Sequence, residues 1–274
     1  MFKGKLVIIT GGSSGLGKAL ALRILKKGAH LALIARDEKK LVSVKAELQK
    51  SASLEQKIEI FPCNVSDFQA VERTFQAIVT KMGIPYMLIN SAGIITESRF
   101  EDQSLDKFHE IMDTNFFGTL HCIKAVLPYF KQKGKGRVVN ICSMAGLMGV
   151  YGYSAYCSSK HAVAGLTHTL RCELRPHKIR FHLVCPPEFD SPMVDALNKC
   201  RSHENRLLAQ TITVLSAEQV AEETLLGIEK GRYEIIPGKA TRIVRILDRL
   251  VPRLSRSVVD IRVKKAYQGS KNKK

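Results

Sequence analysis

The chain has 274 residues, of which 45% are hydrophobic, and its formal net charge is +18. This length supports one substantial core, and no window approaches the ~18 apolar residues that mark a membrane-spanning helix. The charge is uneven, because the last 36 residues contain twelve Lys or Arg and only two Asp. We therefore expect an anionic partner at this end of the chain, and the composition argues against a nucleic-acid-binding core.

The seven cysteines include no C-x-x-C pair, and most fall in apolar or helical patterns. We interpret them as reduced thiols, so neither a disulfide framework nor a metal site is predicted. A strand pattern begins within the first residues and leaves no room for a signal peptide, so a cytoplasmic location is expected.

A continuous apolar run at 5–10 predicts a strand that is buried on both faces of a parallel sheet. A turn with the spacing G-x-x-x-G-x-G follows, and a helical pattern begins at Lys18. Because glycines let backbone N–H groups approach an anion at a helix N-terminus, this arrangement favours a phosphate cradle. The alternative is a turn that binds nothing. The cradle is expected to use Gly11, Ser13, Ser14, Gly15, Leu16 and Gly17.

A second predicted strand, at 30–35, is followed directly by Arg36. An acidic residue at this place would bind the ribose hydroxyls of NAD, whereas a guanidinium suits the 2′-phosphate of NADP. Asp37 stands one place too late for the NAD role. The sequence therefore favours NADP(H) as cofactor. The alternative is that Arg36 only ends the strand at the surface.

Two further strands are predicted at 57–62 and 86–90, and helical patterns lie at about 38–50, 68–81 and 105–130. Strands that alternate with helices indicate a doubly wound, Rossmann-type parallel sheet, with ligands at the carboxyl ends of the strands. We expect one such domain over 1–238.

Tyr156 and Lys160 stand four residues apart in a helical pattern and therefore share one helix face. A nearby ammonium favours the phenolate, so we expect Lys160 to lower the pKa of Tyr156 towards the range in which proton transfer is efficient. Ser143 follows a strand-like run at 137–142 and is placed to hold a carbonyl oxygen for Tyr156 to protonate. With a nucleotide site upstream, these residues predict a catalytic centre.

Taken together, the motifs resemble those of the short-chain dehydrogenase/reductase family over about residues 3–237. The family's Asn-Asn-Ala-Gly segment reads Asn-Ser-Ala-Gly at 90–93, and Asn64 stands where the family usually has aspartate. The resemblance implies catalytic roles for Asn115, Ser143, Tyr156 and Lys160. It implies cofactor contacts from Asn64, Val65, Asn90, Ala92, Gly93, Tyr156, Lys160, Pro186 and Ser191, in addition to the glycine-rich turn and Arg36.

The resemblance further implies that hydride passes from the nicotinamide to a carbonyl carbon while Tyr156 protonates the oxygen. Ser143 would hydrogen-bond that oxygen, Lys160 would hold the nicotinamide ribose, and Asn115 would position a water beside Lys160. Homodimers or homotetramers are common in the family. The alternative is a cofactor-binding scaffold without turnover.

Within the family, the chain looks most like the 3-ketodihydrosphingosine reductase branch. This likeness rests on the Pro-Pro-Glu run at 186–188, the Tyr-Ser-Ala-Tyr run at 153–156 and Arg36. An apolar, long-chain ketone is the substrate that this likeness implies, and a steroid or 3-oxoacyl reductase is the alternative. The segment at 188–213 stands where the family has a mobile substrate lid. Side chains that would line an apolar cleft, or equally belong to the core, are Met144, Leu147, Tyr153, Phe189 and Met193.

Beyond the first domain, apolar residues recur at helical intervals over 239–267 with arginines between them, interrupted by Pro252. A basic amphipathic helix of this kind lies on an anionic bilayer, so we expect residues 240–265 to contact a membrane and the protein to be peripheral on its inner surface. The alternative is a helix docked on the body or on a second subunit with its arginines in solvent. Residues 268–274 are predicted to be disordered.

Overall fold

A computed structural model describes residues 1–209 and 214–271 of the chain. Seven strands form one parallel sheet in the order β3-β2-β1-β4-β5-β6-β7. The predicted doubly wound fold is therefore confirmed. The strands are β1 Leu6–Thr10, β2 His30–Ala35, β3 Ile58–Pro62, β4 Met87–Asn90, β5 Gly136–Ile141, β6 Ile179–Val184 and β7 Glu234–Ile235.

Helices connect the strands and continue beyond the last one. The helices are α1 Gly15–Lys26, α2 Glu38–Gln49, α3 Phe68–Met82, α4 Leu105–Met112, α5 Gly118–Gln132, α6 Ser154–Glu173, α7 Pro192–Cys200, α8 His203–Ala209, α9 Ala217–Glu229, α10 Lys239–Leu250 and α11 Pro252–Lys271.

The sheet is covered on both faces, as the continuous apolar strands require. Successive side chains of a strand point to opposite faces, and β1 shows this clearly. Val7 and Ile9 pack into one core cluster with α1, α2 and α9. Leu6 and Ile8 pack into a second cluster with α3 and α5. The two clusters hold the strands between them and fix the edge at which their carboxyl ends meet.

Strand register aligns the ends of the four central strands. Thr10 pairs with Asn90, Asn90 with Asn140, and Asn140 with Leu183. The loops after β1, β4, β5 and β6 therefore leave the sheet side by side. This edge is where a doubly wound sheet binds its ligands.

The helical pattern at 105–130 is interrupted in the structure. A single π-helical turn, Asp113–Phe117, joins α4 to α5, and it contains Asn115. Such turns occur mostly as single bulges inside longer helices and are frequent at functional sites. Here the bulge lies directly beside the loop that follows β4, because Asn115 hydrogen-bonds Ile94 there.

The C-terminal extension forms two helices, with a break at Val251 before Pro252. The second of these, α11, continues to Lys271, through residues 268–271 where the sequence predicts disorder; residues 272–274 lie outside the described part of the chain. Within the described residues, no helix is both long and apolar enough to cross a membrane.

His182 is a titratable group buried in the sheet, on β6. Its Nδ1 atom lies 2.6 Å from the carbonyl oxygen of Arg232, and its Nε2 atom lies 3.2 Å from a guanidinium nitrogen of Arg137. Burial lowers the pKa of His182 from its ordinary value of 6.5 to about 4, and the charge of Arg137 adds to this effect. The native state therefore keeps this imidazole neutral.

We expect this burial to make the protein less stable as the pH falls from about 6.5 to about 4. In that window the unfolded chain binds a proton that the native chain does not, so the free energy of unfolding falls by up to about 1.4 kcal/mol per pH unit from this group. Urea unfolding of the His182→Gln variant at a series of pH values should show a smaller slope than the wild type. The exposed His203→Gln change should keep the full slope, and equal slopes in all three proteins would contradict the assignment.

Candidate active site

The glycine-rich turn after β1 is too crowded for side chains at two of its positions. A Cβ atom on Gly17 would lie 2.2 Å from the carbonyl oxygen of Gly11, and one on Gly11 would lie 2.8 Å from the amide nitrogen of Ala92. Gly15 opens α1 with a φ of +50°, which favours glycine. The turn is therefore pressed against both α1 and the loop after β4.

The N-terminus of α1 has the features of an anion site. Ser14 is the N-cap, and among the described residues its side chain makes no capping bond, so the first N–H groups of the helix remain available. Thr10 Oγ1 accepts hydrogen bonds of 3.1 Å from the amides of Ser91 and Ala92, which ties the glycine-rich turn to the loop after β4. Leu16 points into the core, so only its backbone can face a ligand.

At the end of β2, Arg36 is exposed and Asp37 caps α2. The Asp37 carboxylate accepts a 3.0 Å hydrogen bond from the amide of Lys40. This capping bond lowers the pKa of Asp37. The carboxylate is therefore committed to the helix, and Arg36 is the charged group that the strand end presents to a ligand.

The loop after β3 presents the two residues predicted beside an adenine. Asn64 is exposed, and its side-chain oxygen accepts a bond of 3.3 Å from the amide of Ser66. Val65 is buried, and its carbonyl oxygen lies 3.0 Å from Nδ1 of His121. The loop is thus held by its own backbone and by α5.

A series of buried polar side chains, joined by hydrogen bonds, crosses the sheet beneath the site. Asn90 donates to Asn140 Oδ1 at 2.8 Å, and Asn140 donates to Thr167 Oγ1 at 2.8 Å. Within the described residues, the side-chain oxygen of Asn90 is buried without a hydrogen-bond donor. A buried acceptor of this kind normally has a partner, so it fits a donor on a bound cofactor. The crowded glycines and this acceptor both fit a dinucleotide.

The loop after β6 completes the same edge. The carbonyl oxygen of Pro186 accepts a 3.0 Å bond from the amide of Met144, which joins this loop to the one after β5. Ser191 caps α7, and its Cβ atom lies 3.7 Å from the place a Cβ on Gly15 would occupy. Ser191 therefore lies near the start of α1, as a cofactor contact requires.

Ser143 and Tyr156 are brought together. Ser143 follows β5, and its hydroxyl is close enough to the Tyr156 phenol on α6 to lower the pKa of that phenol. The same hydroxyl accepts a 3.1 Å bond from the amide of Ala145, which starts a short 3-10 turn. Burial raises the pKa of Tyr156, and the Ser143 hydroxyl opposes this only in part.

Lys160 lies behind Tyr156 on the same helix. Its ammonium is 5.6 Å from the centre of the Tyr156 ring and donates a 2.9 Å bond to the carbonyl oxygen of Ile141. Burial lowers the pKa of this lysine. The sequence predicts that Lys160 lowers the pKa of Tyr156, but in the structure the net direction is the opposite, because desolvation of the phenolate is the largest effect.

Asn115 is fully buried, and both polar atoms of its side-chain amide form hydrogen bonds. Its Oδ1 accepts a 2.8 Å bond from the amide of Ile94, and its Nδ2 donates 3.0 Å bonds to the Ile94 carbonyl oxygen and to Ser159 Oγ. Lys160 Nζ and Asn115 Oδ1 approach each other across Gly93, where a Cβ would meet them at 3.6 and 3.2 Å. The four predicted catalytic residues therefore form one group.

Helices α7 and α8 cover this group, and we term them the lid. Leu197 of α7 is buried in a cluster with Tyr153 and Cys157, against which the Tyr156 ring packs. The rings of Tyr153 and Tyr156 meet edge to face with centres 6.1 Å apart. The lid predicted over 188–213 thus lies directly above the phenol; residues 210–213 are outside the described part.

A polar network fastens the lid to the wall of the cleft. Arg201 is almost fully buried, and its guanidinium donates bonds of 3.1 and 2.6 Å to the Glu188 carboxylate. It also donates a 3.3 Å bond to the Tyr153 hydroxyl. The Tyr153 hydroxyl in turn donates to Asn205 Oδ1 at 3.3 Å. The cleft therefore combines apolar walls with one charged, hydrogen-bonded cluster.

The structure separates the five side chains proposed as substrate contacts. Tyr153 contacts Tyr156 and so lies beside the candidate catalytic group. Met144 and Leu147 instead pack in a small core cluster beside Cys142 and Cys185, and Phe189 packs against the main core. Met193 is largely exposed on α7. The apolar character of Met144, Leu147 and Phe189 therefore reflects core packing more than a binding wall.

Several residues of the site carried no recognisable sequence signal. Ser159 and Ile94 hold Asn115, and Arg201 and Asn205 hold Tyr153. Arg201 and Asn205 lie in a polar run that looks solvated in sequence, and only the folded lid shows that both are buried.

Fold and site together define a dinucleotide-binding α/β oxidoreductase. The family model described as short chain dehydrogenase matches residues 5–202, and the chain belongs to this family. The predicted family is therefore confirmed, and so is the resemblance to one of its branches.

Two curated relatives and one solved structure illustrate the likeness. The chain is 36% identical to the 3-ketodihydrosphingosine reductase of Bos taurus over 84% of this chain and 70% of the relative. It is 36% identical to the enzyme of the same name from Dictyostelium discoideum, over 89% and 78%. A short chain dehydrogenase/reductase from Burkholderia phymatum, solved in complex with NAD, has a TM-score of 0.82 at 24% identity, over 92% of this chain and 95% of that one.

Proposed function

We propose that the protein is an NADPH-dependent reductase of a long-chain ketone that carries polar groups beside its carbonyl, as a ketosphingoid does. The observation that carries this proposal is the phenol of Tyr156, which lies beside the Ser143 hydroxyl and packs against the cluster that contains Leu197 of the lid. Family membership supports redox chemistry at this site, and the names of the relatives support the substrate class.

The protonated phenol of Tyr156 suits the role of proton donor in reduction of a ketone. With its raised pKa the phenol is protonated at neutral pH, so it can donate a proton to a carbonyl oxygen as negative charge develops there. The Ser143 hydroxyl can donate a second hydrogen bond to the same oxygen. Lys160 ties α6 to the end of β5, and Asn115 ties α6 to the loop after β4, so both hold the elements around this pair.

A nicotinamide dinucleotide supplies the hydride when it is bound. The glycine-rich turn and the N-terminus of α1 would hold its phosphates, and the unpaired oxygen of Asn90 and the loop at Ser191 would face the rest of the molecule. The preference for NADP(H) rests on two residues. Asp37 is committed to capping α2, and exposed Arg36 suits a bidentate contact with a 2′-phosphate.

The cleft itself favours an amphiphilic substrate. Its walls are apolar where Leu197, Ile95 and Val150 pack near Tyr156. Glu188 and Arg201 form a charged pair next to these walls, and the Glu188 side chain remains 31% exposed. An alkyl chain fits the first feature, and amino or hydroxyl groups near the ketone fit the second.

The last two helices present an apolar surface to solvent. Four apolar residues of α10 lie on one face, and each is between 51% and 72% exposed. The opposite face is turned towards the body, where Arg242 pairs with Glu223 at 3.2 Å and Arg245 pairs with Glu234 at 3.6 Å. We term the outward face the outer apolar surface. It comprises Ile243, Ile246, Leu247 and Leu250 of α10 with Leu254, Val258 and Ile261 of α11.

The charges beside this surface favour an anionic bilayer as its partner. Arg249, Arg253 and Arg256 are exposed, and in the described part of the chain none of them forms an ion pair. A symmetric contact with a second copy would bring these arginines towards their counterparts, which costs energy, whereas anionic headgroups neutralise them. We therefore propose a peripheral position on the inner membrane surface, where a long-chain ketone would dissolve.

Removal of the phenol hydroxyl should abolish most turnover. With NADPH and 3-ketodihydrosphingosine, the Tyr156→Phe variant should lose about 100-fold or more in kcat, because the carbonyl oxygen loses its proton donor. Cofactor affinity, followed by NADPH fluorescence, should change little. The remote Tyr129→Phe variant serves as the control and should retain wild-type turnover. Undiminished ketone reduction by Tyr156→Phe would refute the assigned role.

Removal of the Arg36 guanidinium should shift cofactor preference. We expect kcat/KM with NADPH to fall by about 10-fold or more in Arg36→Ala, since charge-assisted bonds to the 2′-phosphate are lost, while the value with NADH stays similar. Lys50→Ala removes a positive charge from the far end of α2 and should leave the ratio unchanged. A wild-type enzyme that turns over NADH and NADPH equally well would contradict the NADP(H) preference.

The membrane contact can be tested by vesicle flotation. The intact protein should bind vesicles that contain anionic lipid, and binding should weaken with salt or with purely zwitterionic lipid. Ile246→Ser combined with Leu250→Ser should weaken it by about 10-fold or more, because two large apolar side chains no longer enter the bilayer. Leu54→Ser, at a fully exposed leucine elsewhere, is the matched control. Absence of wild-type binding to anionic vesicles at moderate salt would end the membrane proposal.

A further inference from the structure

The last helix touches the segments that enclose the cleft. On α11, the Tyr267 hydroxyl lies 2.9 Å from the Tyr151 hydroxyl, and the two rings meet edge to face at 6.0 Å. The Arg99 guanidinium lies 5.6 Å from the centre of the Tyr267 ring. Neighbouring Ala266 is buried. Tyr267 therefore joins α11 to the loop after β4 and to the loop after β5.

Both of these loops are bonded to the lid. Arg99 pairs with Glu204 of α8 at 3.5 Å, and the Glu204 side chain is almost fully buried. The carbonyl oxygen of Tyr151 accepts a 2.8 Å bond from Asn205 Nδ2. Glu204 and Asn205 are adjacent on α8, so two consecutive lid residues are held by the two residues that Tyr267 contacts.

The network continues from the lid to the catalytic phenol. Asn205 Oδ1 accepts the hydrogen bond of the Tyr153 hydroxyl, and the Tyr153 ring packs on Tyr156. An unbroken series of contacts therefore leads from Tyr267 through Tyr151 and Asn205 to Tyr153. Most of these contacts are hydrogen bonds, whose strength depends on distance and angle, so a shift at one end changes the geometry at the next.

Tyr267 is one attachment of the C-terminal half of α11, which also packs directly on α8. Among the described side chains of this helix, Ala266 alone is buried, and Leu254, Val258 and Ile261 face outwards. By contrast, ion pairs to Glu223 and Glu234 hold α10 to the body. Loss of the Tyr267 contacts would therefore weaken the attachment of the end of α11 and remove one support from the lid, while the sheet and the cofactor turn remain as they are.

We propose that Tyr267 is a positioning residue for the reductase, which sets the lid and the Tyr153 wall against the substrate. The basic C-terminal extension thereby completes the substrate cleft as well as carrying the outer apolar surface. This inference rests on the proposed ketone reduction for its kinetic test, and it has a second test that needs no turnover.

In the kinetic test, Tyr267→Ala should raise KM for 3-ketodihydrosphingosine by roughly fivefold to tenfold, the size of effect expected for one hydrogen bond and one cation–π contact. The kcat for a truncated analogue with a short alkyl chain should stay near the wild-type value, and so should NADPH affinity. Tyr267→Phe keeps the ring above Arg99 and should show a smaller rise. Gln268→Ala, at the exposed neighbouring position, should match the wild type.

The second test uses fluorescence, because the chain has no tryptophan. Leu207→Trp places a single reporter on α8 of the lid, at a partly exposed position. Adding Tyr267→Ala should shift its emission to longer wavelength and increase acrylamide quenching, whereas adding Gln268→Ala should do neither.

The two tests separate the possible failures. If the wild type reduces no ketone, the proposed function fails, and the emission shift alone decides whether Tyr267 holds the lid. If the wild type is active but KM and emission are the same with and without Tyr267→Ala, the inference is overturned. A higher KM with a shifted emission, together with an unchanged kcat for the short analogue, supports it.

Discussion

The Tyr156 phenol lies partly buried beside the Ser143 hydroxyl, and the other features of the site hold that pair in place. Desolvation raises the pKa of the phenol, so it keeps its proton at neutral pH. Ser143 can stand next to it only because β5 ends in register with its neighbours, and α6 can carry it there only because Asn115 and Lys160 tie that helix to the adjacent loops. The lid packs above, with Leu197 in the cluster that contacts the Tyr156 ring. Asn115, Ser159 and Lys160 are therefore buried at this edge of the sheet because they hold the elements that carry Ser143 and Tyr156.

The fold and the grouping of the four predicted catalytic residues could be predicted from the sequence because their signals are local. Each central strand is a short apolar run with a distinctive loop at its carboxyl end, and parallel strand ends must meet at one edge. Features that depend on residues distant in the sequence could not be predicted from it. The pKa direction of Tyr156 depends on how deeply the folded lid buries it, and the spacing to Lys160 says nothing about that. Met144, Leu147 and Phe189 are apolar for reasons of core packing that only the three-dimensional clusters reveal. Arg201 and Asn205 look solvated in sequence, yet both become buried once α7 and α8 fold over the cleft.

The C-terminal extension likewise has features that the sequence predicts and one feature that it does not. Its period predicts helices correctly, and Pro252 marks their break. The period cannot say which face of an amphipathic helix is turned inwards. In α10 the charged face lies on the body, because Glu223 and Glu234 supply partners for Arg242 and Arg245, and the apolar face is left to solvent. This orientation is the reverse of the usual one for a surface helix. The extension therefore exposes an apolar surface on one side and contacts the loop after β5 through Tyr267 on the other.

The π turn at Asp113–Phe117 has a consequence for how this region can vary. It accommodates one residue more than an α-helical turn, and one residue corresponds to about 100° of rotation around a helix axis. The extra residue lets Asn115 point at the loop after β4 while Val126 and Phe130 of α5 still face the core. Loss of any one residue here would restore a regular helix and would turn either the amide or the core side chains away from their partners. Chain length at this bulge is consequently as tightly constrained as the identity of the asparagine, and a one-residue gap would be more disruptive than most substitutions.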